Sequence, residues 1–319
     1  AADVLLLNMH TQTLEFAAGE GFQTAALQHT HLKLGQGRAG KAALERRIIH
    51  VPNLVEDQNG FQRAPLLSNE RFLAYYAIPL VSKGAVMGVM ELFHRAPHET
   101  DLEWQKFLEA FATQAATAID NARLFENLQR TNAELMLAYD TTLEGWSRAL
   151  ELHDRTTPEH TDRVADMATR LARELGVSDF DEIHIRRGAI LHDIGKMGIP
   201  EEILKKDGPL TEEEWEIMRC HPTYAYDLLS PISYLRPALD IPYCHHERWD
   251  GKGYPVGLKG DQIPLAARIF SVVDVWDSML SNRPYREALS EESVLAYIES
   301  NAGTQFDPIA VDAFMNLVQ

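Results

Sequence analysis

One stretch of the sequence contains neither glycine nor proline, and it limits the folds that the chain can adopt. The stretch covers residues 102–144 and ends at Gly145. Because glycine and proline are the residues that most often end helices, the run predicts one long helix to about Trp146. The 319 residues are enough for two domains and too many for one compact core. We therefore expect a domain on each side of the helix.

Apolar residues recur along this helix at intervals of seven. They are Trp104, Phe111, Ala118 and Phe125, with Leu108, Ala115 and Ala122 between them. This a/d pattern is typical of a parallel two-chain coiled coil that carries a signal between domains. It also fits a helix that packs on the sheet of its own domain. The coiled coil predicts a parallel homodimer through the connecting helix.

The first hundred residues have the pattern of an α+β domain. Short apolar segments, "DVLLLNM", "TLEFAAGEGF", "FLAYYAIPLV" and "GAVMGVMELFH", are separated by turn residues and predict strands. The stretches "GQGRAGKAALERRIIHVPN", "AIPLVSKGAVMGVMEL" and "FLEAFATQAATAIDNARLFE" follow one another in an order that resembles a GAF domain. The resemblance implies a sensory or dimerising module at residues 1–125, without its first helix. Its ligand cannot be read from these residues.

The second half of the chain is helical in pattern. Periodic segments such as "HTDRVADMATRLARELG", "DEIHIRRGAILHDIG", "TEEEWEIMRCHPTYAYDLLS" and "AARIFSVVDVWDSML" indicate an all-α domain at residues 146–319, preceded by a connecting helix at 126–145. In this reading the helix that holds "LHDIG" ends at its glycine. The expected architecture is an α+β domain, a long helix and an all-α domain.

Seven side chains of this second half have the chemistry of metal ligands. They are His160, His192, Asp193, His221, His245, His246 and Asp274. Seven nitrogen and oxygen donors exceed the four of a structural zinc site and suggest two neighbouring ions. In a helix, adjacent residues such as His245 and His246 point in different directions and could serve different ions. Asp274 lies in an apolar stretch, where an unpaired carboxylate costs several kcal/mol. His153 and His184 lie beside charged residues, without further candidate ligands next to them, and are expected at the surface.

The order of these residues resembles the HD-type phosphohydrolases. The stretches "HDIGKMGIP", "HHERWDGKGYP" and "RIFSVVDVWDSMLSNRPYR" narrow the resemblance to the HD-GYP family and cover nearly all of residues 146–319. The resemblance implies a metal-dependent phosphodiesterase that hydrolyses cyclic di-GMP to pGpG, to GMP, or to both. It also implies that the seven residues are the metal ligands, with iron as the first choice of ion and manganese as the second.

The resemblance gives further residues a role. Asp193 would bridge the two ions, and Lys196 would lie near the scissile phosphate, where its charge could stabilise the transition state. Asp277, Arg283 and Arg286 correspond to positions implicated in substrate binding. Gly253-Tyr254-Pro255 is interpreted as a rigid turn at the rim of the site or as a surface for signalling proteins. Some family members have a glutamate linked with a third ion where this chain has Thr156, so two ions are expected.

Composition excludes some functions and leaves two alternatives open. A formal charge of −17 argues against binding of duplex nucleic acid, which requires a basic surface. No apolar run is long enough to cross a bilayer and two cysteines form no disulfide framework, so a cytoplasmic fragment is expected. A catalytically silent interaction protein and a hydrolase of another nucleotide, such as a mixed-base cyclic dinucleotide, remain as alternatives. Loss of ligands would favour the first, and a substrate panel would test the second.

Overall fold

The chain is described here from a computed structural model, at residues 1–57, 63, 67, 69–98, 101–154, 160–282 and 287–318. It divides into two compact units, Ala1–Ala133 and Glu134–Gln319. The predicted fold class, an α+β domain followed by a long helix and a helical domain, is confirmed. Within these ranges, no helix is both long and apolar enough to cross a bilayer.

The first unit is built on a six-stranded antiparallel sheet. Its strands are β1 (Ala2–Asn8), β2 (Thr13–Glu20), β3 (His31–Lys33), β4 (Ile49–Val51), β5 (Ala74–Ser82) and β6 (Ala85–His94), in the spatial order β3-β2-β1-β6-β5-β4. Helix α1 (Gly37–Glu45) lies between β3 and β4 in the sequence. The four longer strands correspond to the four predicted segments. The prediction did not identify β3 as a strand, and β4 lies in the stretch "GQGRAGKAALERRIIHVPN", after α1.

Alternating side chains cover the two faces of the sheet, as the two-residue period of a strand requires. On one face, Leu5 and Phe93 pack with the buried alanines of α1. On the other face, Tyr76 and Ile78 pack against a long helix, α2 (Leu102–Asp154), through residues that include Leu108. The sheet is therefore the middle layer of an α/β/α arrangement.

Helix α2 begins on the sheet of the first unit and continues into the second. Its first turns bury Leu108, Ala112 and Ala116 against the sheet, as the packed-helix alternative predicted. Phe111 and Phe125, which belong to the predicted seam, are 49% and 61% exposed. The packed face therefore includes only part of the seven-residue pattern, and the coiled coil stays a prediction.

The second unit is helical throughout its described residues. Its helices are α3 (His160–Glu174), α4 (Asp179–Ile190), α5 (Glu201–Leu204), α6 (Glu212–Met218), α7 (His221–Leu229), α8 (Asp240–Cys244), α9 (Leu265–Leu280), α10 (Glu291–Ser300) and α11 (Pro308–Val318). Polar caps fix several starts, since Ser178 caps α4 and Thr211 forms a capping box with Glu214 at α6. Buried residues of α3, α4, α9 and α11, such as Leu171 and Phe270, form one core.

Two helix ends differ from the prediction. Helix α4 ends at Ile190, before the His-Asp pair, and a short 3-10 helix, Ile194–Gly198, follows. The segment predicted as one helix across residues 211–230 breaks between α6 and α7, immediately before His221. Proline at the second position of α7 is compatible with a helix start but not with a helix interior. As a result, His192 follows the end of α4 and His221 is the first residue of α7, so neither lies in a helix interior.

Candidate metal centre

Six of the seven predicted ligand residues lie at or near the ends of four helices of the second unit, and the seventh lies within a fifth helix. They are His160 at the start of α3, His192 and Asp193 after α4, His221 at the start of α7, His245 and His246 after α8, and Asp274 within α9. The fold thus brings together five segments that are separate in the sequence.

Six of the seven side chains form two groups, each able to hold one metal ion. His221, His245 and His246 form the first group, and their ligand atoms lie within 4.8 Å of one another. His160, His192 and Asp274 form the second, to the same limit. Imidazole with few carboxylates is a donor set that suits divalent transition metals. The donors present therefore fit the expected ions, although His245 and His246 belong to one group and not to two.

The orientation of three imidazoles is fixed by the backbone. Nδ1 of His192 lies 2.8 Å from the carbonyl oxygen of Ala189, and Nδ1 of His245 lies 2.9 Å from that of Ile241. His221 makes the same bond to the Met218 carbonyl at 2.9 Å. Each ring donates its Nδ1 proton there, so the Nε2 lone pair is left to bind an ion.

His160 is oriented by a buried carboxylate instead. Its Nδ1 lies 2.6 Å from Oδ2 of Asp277, and Asp277 also accepts hydrogen bonds from the Arg163 guanidinium at 2.6 and 2.9 Å. Burial opposes ionisation of Asp277, but His160 and Arg163 outweigh it and lower its pKa to about 2. Asp277 is 3% exposed and does not line the cavity described below. Asp277 is therefore placed to orient His160, and its predicted contact with substrate stays a prediction.

The first group is held in the neutral form. Burial lowers the pKa of His221, and burial together with the neighbouring imidazoles lowers the pKa of His245 well below its ordinary value. Burial and the proximity of His221 lower the pKa of His246 to about 3. Neutral imidazole is the form that binds a metal, so no proton has to leave these rings first.

Asp193 lies between the two groups. Its carboxylate oxygens are 3.2 Å from Nε2 of His192 and 3.5 Å from Nε2 of His221, each in a different group. Burial opposes its ionisation, but the Lys196 ammonium and His192 hold its pKa well below the usual range. An ionised carboxylate in this place lies near a histidine of each group, and its role as a bridging ligand stays a prediction.

Lys196 is fixed beside that carboxylate. Its Nζ lies 2.7 Å from Asp193 and 2.8 Å from Asp154. Burial disfavours its charge, yet the two carboxylates raise its pKa above the ordinary value, so the ammonium stays protonated. The 3-10 helix after α4 therefore presents a positive charge next to the candidate ligands.

A cavity of about 480 Å³ opens over the two groups, and five predicted ligands and Lys196 line it. Its outer wall is formed by residues 203–210 together with Trp215 and Met218. The volume is in the range of small-molecule sites. Tyr254 also lines the cavity and stacks on His246 with 4.7 Å between ring centroids. We had interpreted Gly253-Tyr254-Pro255 as a rigid turn at the rim of the site or as a surface for signalling proteins, and the sequence did not single out the Tyr254 ring as a group that lines the cavity.

A second residue that the sequence did not single out holds the loop of Tyr254. Glu247, 3% exposed, accepts hydrogen bonds from the backbone N–H groups of Val256, Gly257 and Leu258 at 2.8 to 3.1 Å. Gly253 passes so close to the chain that a Cβ there would lie 2.4 Å from the nitrogen of Arg248. The signal for Glu247 in the sequence was a charged residue directly after two histidines.

Some predicted features fall outside the described part of the chain. The predicted substrate-binding residues Arg283 and Arg286 lie outside the described residues. Thr156, at the position where some family members have the glutamate linked with a third ion, also lies outside them. Their roles stay predictions.

Comparison with known sequences identifies the family. A profile of the family described as "HD domain" matches residues 145–309, more than half of the chain. The chain belongs to the HD domain family. A second profile, described as "GAF domain", matches residues 2–119. The recognition of a GAF domain followed by an HD-type domain is confirmed.

Several curated proteins are similar to part of the chain. The "Cyclic di-GMP phosphodiesterase response regulator RpfG" of Xanthomonas campestris pv. campestris is 43% identical over 54% of this chain and 47% of its own length. The "Cyclic di-GMP phosphodiesterase" of Thermotoga maritima is 41% identical, over 60% of this chain and 53% of the relative. The "3'3'-cGAMP-specific phosphodiesterase 3" of Vibrio cholerae serotype O1 is 37% identical, over 60% and 42%. The chain spans about half the length of these relatives.

Proposed function

We propose that the protein is a metal-dependent phosphodiesterase that hydrolyses cyclic di-GMP. The observation that carries the proposal is the joining of two His/Asp groups, Asp193 and Lys196 at one cavity of about 480 Å³. Relatives at 41–43% identity that are named cyclic di-GMP phosphodiesterases support the choice of substrate. The 3'3'-cGAMP-specific relatives make that mixed dinucleotide the second candidate.

The proposed centre holds two divalent ions, with iron first and manganese second, through the seven residues listed above. When bound, such ions lower the pKa of a water molecule and polarise phosphate oxygens. The reaction adds water oxygen to phosphorus and breaks the bond to the ribose oxygen, which takes up a proton. Lys196 supplies positive charge for the phosphoryl oxygens as negative charge develops. Asp193 and Asp154 keep this ammonium oriented towards the cavity.

The rest of the cavity is suited to a nucleotide. Tyr254 and Trp215 offer ring faces on which a guanine can stack, and such contacts tolerate some change of base. Arg283 and Arg286 are proposed to bind phosphate, because a guanidinium donates paired hydrogen bonds to it. The products are proposed to be pGpG, GMP, or both.

The test is anaerobic incubation of the iron- or manganese-loaded chain with cyclic di-GMP, 3'3'-cGAMP and an alarmone, followed by chromatography of the products. Asp193→Asn removes the bridging carboxylate and should abolish turnover. Asp179→Asn, at the exposed start of α4, removes the same charge away from the cavity and should leave turnover unchanged. Release of pGpG or GMP by wild type and Asp179→Asn only is the expected result.

Two other outcomes have defined meanings. Faster hydrolysis of 3'3'-cGAMP than of cyclic di-GMP would transfer the proposal to the mixed dinucleotide. Binding of cyclic di-GMP without product under both metals would favour the catalytically silent protein, with Val256 of the Glu247-held loop, 55% exposed, as a contact for signalling partners.

We also propose that residues 1–125 regulate the HD domain of residues 146–319 through the connecting helix, in a parallel homodimer. Phe125, which belongs to the predicted seam, and Leu128 and Leu135, each one residue before a position that continues the seam, are 61%, 67% and 47% exposed on α2. A second copy of this helix would bury all three. The double variant Phe125→Glu, Leu128→Glu should therefore sediment as a monomer.

Leu152 provides the matched control for this test. It is 87% exposed on the same helix but does not follow the a/d spacing, so Leu152→Glu should keep the dimer. A wild-type monomer at micromolar concentration would contradict the proposed assembly.

A further inference from the structure

The C-terminal part of α2 packs on the helical unit through one face of the helix. Leu143, Ser147 and Leu150 are buried there, at intervals of four and three residues that place them on the same face. Leu143 belongs to the core that also contains residues of α3 and α4. This part of α2 lies within the second unit, Glu134–Gln319. The connecting helix is therefore anchored on the domain that holds the candidate metal centre.

Each end of this face carries an aspartate that is paired with the segment of the His-Asp pair. Oδ1 of Asp140 lies 2.7 Å from Nε of Arg187, which is buried in the last turn of α4. Oδ2 of Asp154, the last residue of α2, lies 2.8 Å from Nζ of Lys196. The His-Asp pair lies between these two cations in the sequence. Helix α2 thus contacts both ends of residues 187–196.

A third contact joins the last turn of α2 to the start of α3. Oε1 of Glu151 accepts a hydrogen bond from the backbone N–H of Thr161 at 3.2 Å. Thr161 directly follows the candidate ligand His160, and both residues are buried. The end of the connecting helix therefore contacts the segment of His160 as well as the segment of Lys196.

The Lys196 ammonium has N–H donors for three partners. One partner is Asp193, a candidate ligand, at 2.7 Å, and another is Asp154, which belongs to the connecting helix. These two bonds leave one N–H for a phosphate in the cavity that Lys196 lines. Without Asp154, only Asp193 would hold the ammonium, and the direction of the remaining N–H would no longer be fixed.

The pair of Asp154 and Lys196 is sensitive to small movements of the helix. The side chains are only 11% and 20% exposed, so water does not readily take the place of either partner. A displacement of Asp154 by about 1 Å away from Lys196 is enough to break their hydrogen bond. That distance is smaller than the rise of one helical residue, about 1.5 Å.

We propose that Asp154 is a positioning residue for Lys196 and couples the ammonium to the connecting helix, so that a displacement of α2 changes turnover through Lys196. The inference rests on the phosphodiesterase function proposed above and names the point at which regulation of that function acts. Four of the imidazole ligands are held by backbone carbonyls or by Asp277, independently of Asp154. Metal affinity should therefore not depend on the contact between Asp154 and Lys196.

The test measures kcat and KM of the manganese-loaded full chain with cyclic di-GMP and with bis(p-nitrophenyl) phosphate, a diester that requires no base recognition. Asp154→Asn should lower kcat about tenfold on both substrates, because the hydrogen bond that orients the ammonium loses its charge. The Mn²⁺ affinity should stay that of wild type. Glu134→Gln removes a carboxylate from an exposed position of the same helix and should leave kcat unchanged.

A double-variant cycle shows whether Asp154 acts through Lys196. Lys196→Met removes the ammonium, and Asp154→Asn should have no further effect on kcat in that background. Asp140 does not line the cavity, and Asp140→Asn loosens the other end of the packed face. This variant should lower kcat about twofold or more in wild type and not in the Lys196→Met background. A merely structural effect of either aspartate would appear in both backgrounds.

A second readout does not depend on turnover. The nitrogen resonance of the Lys196 ammonium, assigned by its loss in Lys196→Met, should shift in Asp154→Asn and in Asp140→Asn but not in Glu134→Gln. If wild type hydrolyses neither substrate, the proposed function fails, and this resonance alone decides whether α2 is coupled to Lys196.

Equal kcat values of wild type and Asp154→Asn, an equal loss of kcat in the wild-type and Lys196→Met backgrounds, or an unshifted Lys196 resonance in Asp154→Asn would each overturn the proposal. If Asp154→Asn loses the helical circular dichroism of wild type, Asp140→Asn in the two backgrounds decides in its place.

Discussion

Gly195→Ala is the substitution whose effect can be worked out most directly from the structure. Gly195 belongs to the short 3-10 helix after the His-Asp pair, and a Cβ there would lie 1.9 Å from the carbonyl oxygen of His221 and 2.6 Å from the nitrogen of Ala225. Real Cβ atoms essentially never approach closer than 3.0 Å. Both obstacles are backbone atoms, so the alanine must push the 3-10 helix and α7 apart by about 1 Å, as expected of an overpacked contact.

The cost of such overpacking is typically 1 to 3 kcal/mol, and the upper end applies, at about 3 kcal/mol, because no side chain can rotate away. With a urea m-value of about 2 kcal/mol per M, the unfolding midpoint should fall by about 1.5 M. Tryptophan fluorescence is the assay, since four of the five tryptophans belong to the second unit.

Gly145→Ala is the matched control. No atom lies within 4 Å of the Cβ position at Gly145, which is inside α2. The alanine should therefore raise the free energy of unfolding by about 0.5 to 1 kcal/mol through helix propensity alone. A Gly195→Ala midpoint equal to that of wild type would refute the reasoning. Gly195→Ala should also bind Mn²⁺ more weakly than wild type, because the new Cβ pushes the segment of Asp193 away from His221.

Two further predictions concern Asp3 and Asp277. Burial and the charge of Glu91, its partner across β1 and β6, raise the pKa of Asp3 to about 9. The folded first unit keeps a proton that the unfolded chain loses above about pH 4, so its stability should fall as pH rises towards 9, and Asp3→Asn should raise the melting temperature more at pH 8 than at pH 5. Asp277→Asn should weaken Mn²⁺ binding about tenfold by releasing His160, with the helical circular dichroism unchanged; an unaltered Mn²⁺ affinity would contradict the supporting role.

Most of the fold could be predicted because its signals are local. The absence of glycine and proline in residues 102–144 predicted a long helix, and the apolar segments that became β1 and β6 predicted a sheet. The three-residue strand β3 was not predicted, because so short a segment becomes a strand only by pairing with β2. The helix ends near His192 and His221 were misplaced for a similar reason, because contacts between distant segments fix them.

The ligand residues could be proposed from sequence because imidazole and carboxylate chemistry is visible in the residue types. The division of these residues into two groups could not be predicted, because it depends on how five helices pack together. His245 and His246 fall in one group because α8 ends before them, so the angle expected between neighbours inside a helix does not apply. Tyr254 was placed in a turn at the rim of the site without a role for its ring, and Glu247 was missed, because turn and surface residues of these types are common. Only packing shows that the Tyr254 ring lines the cavity and that Glu247 holds the loop.

The hydrogen bonds from His192, His221 and His245 to backbone carbonyls bear on how the protein is made in the cell. The helices themselves hold these rings in position, and an apolar core that includes Leu171 and Phe270 holds the helices. Folding therefore precedes loading, unlike in small zinc domains that are unfolded without metal. Removal of metal by a chelator should leave the helical circular dichroism intact, and a chain synthesised under metal starvation should become active on later addition of the ion, without passing through an unfolded state.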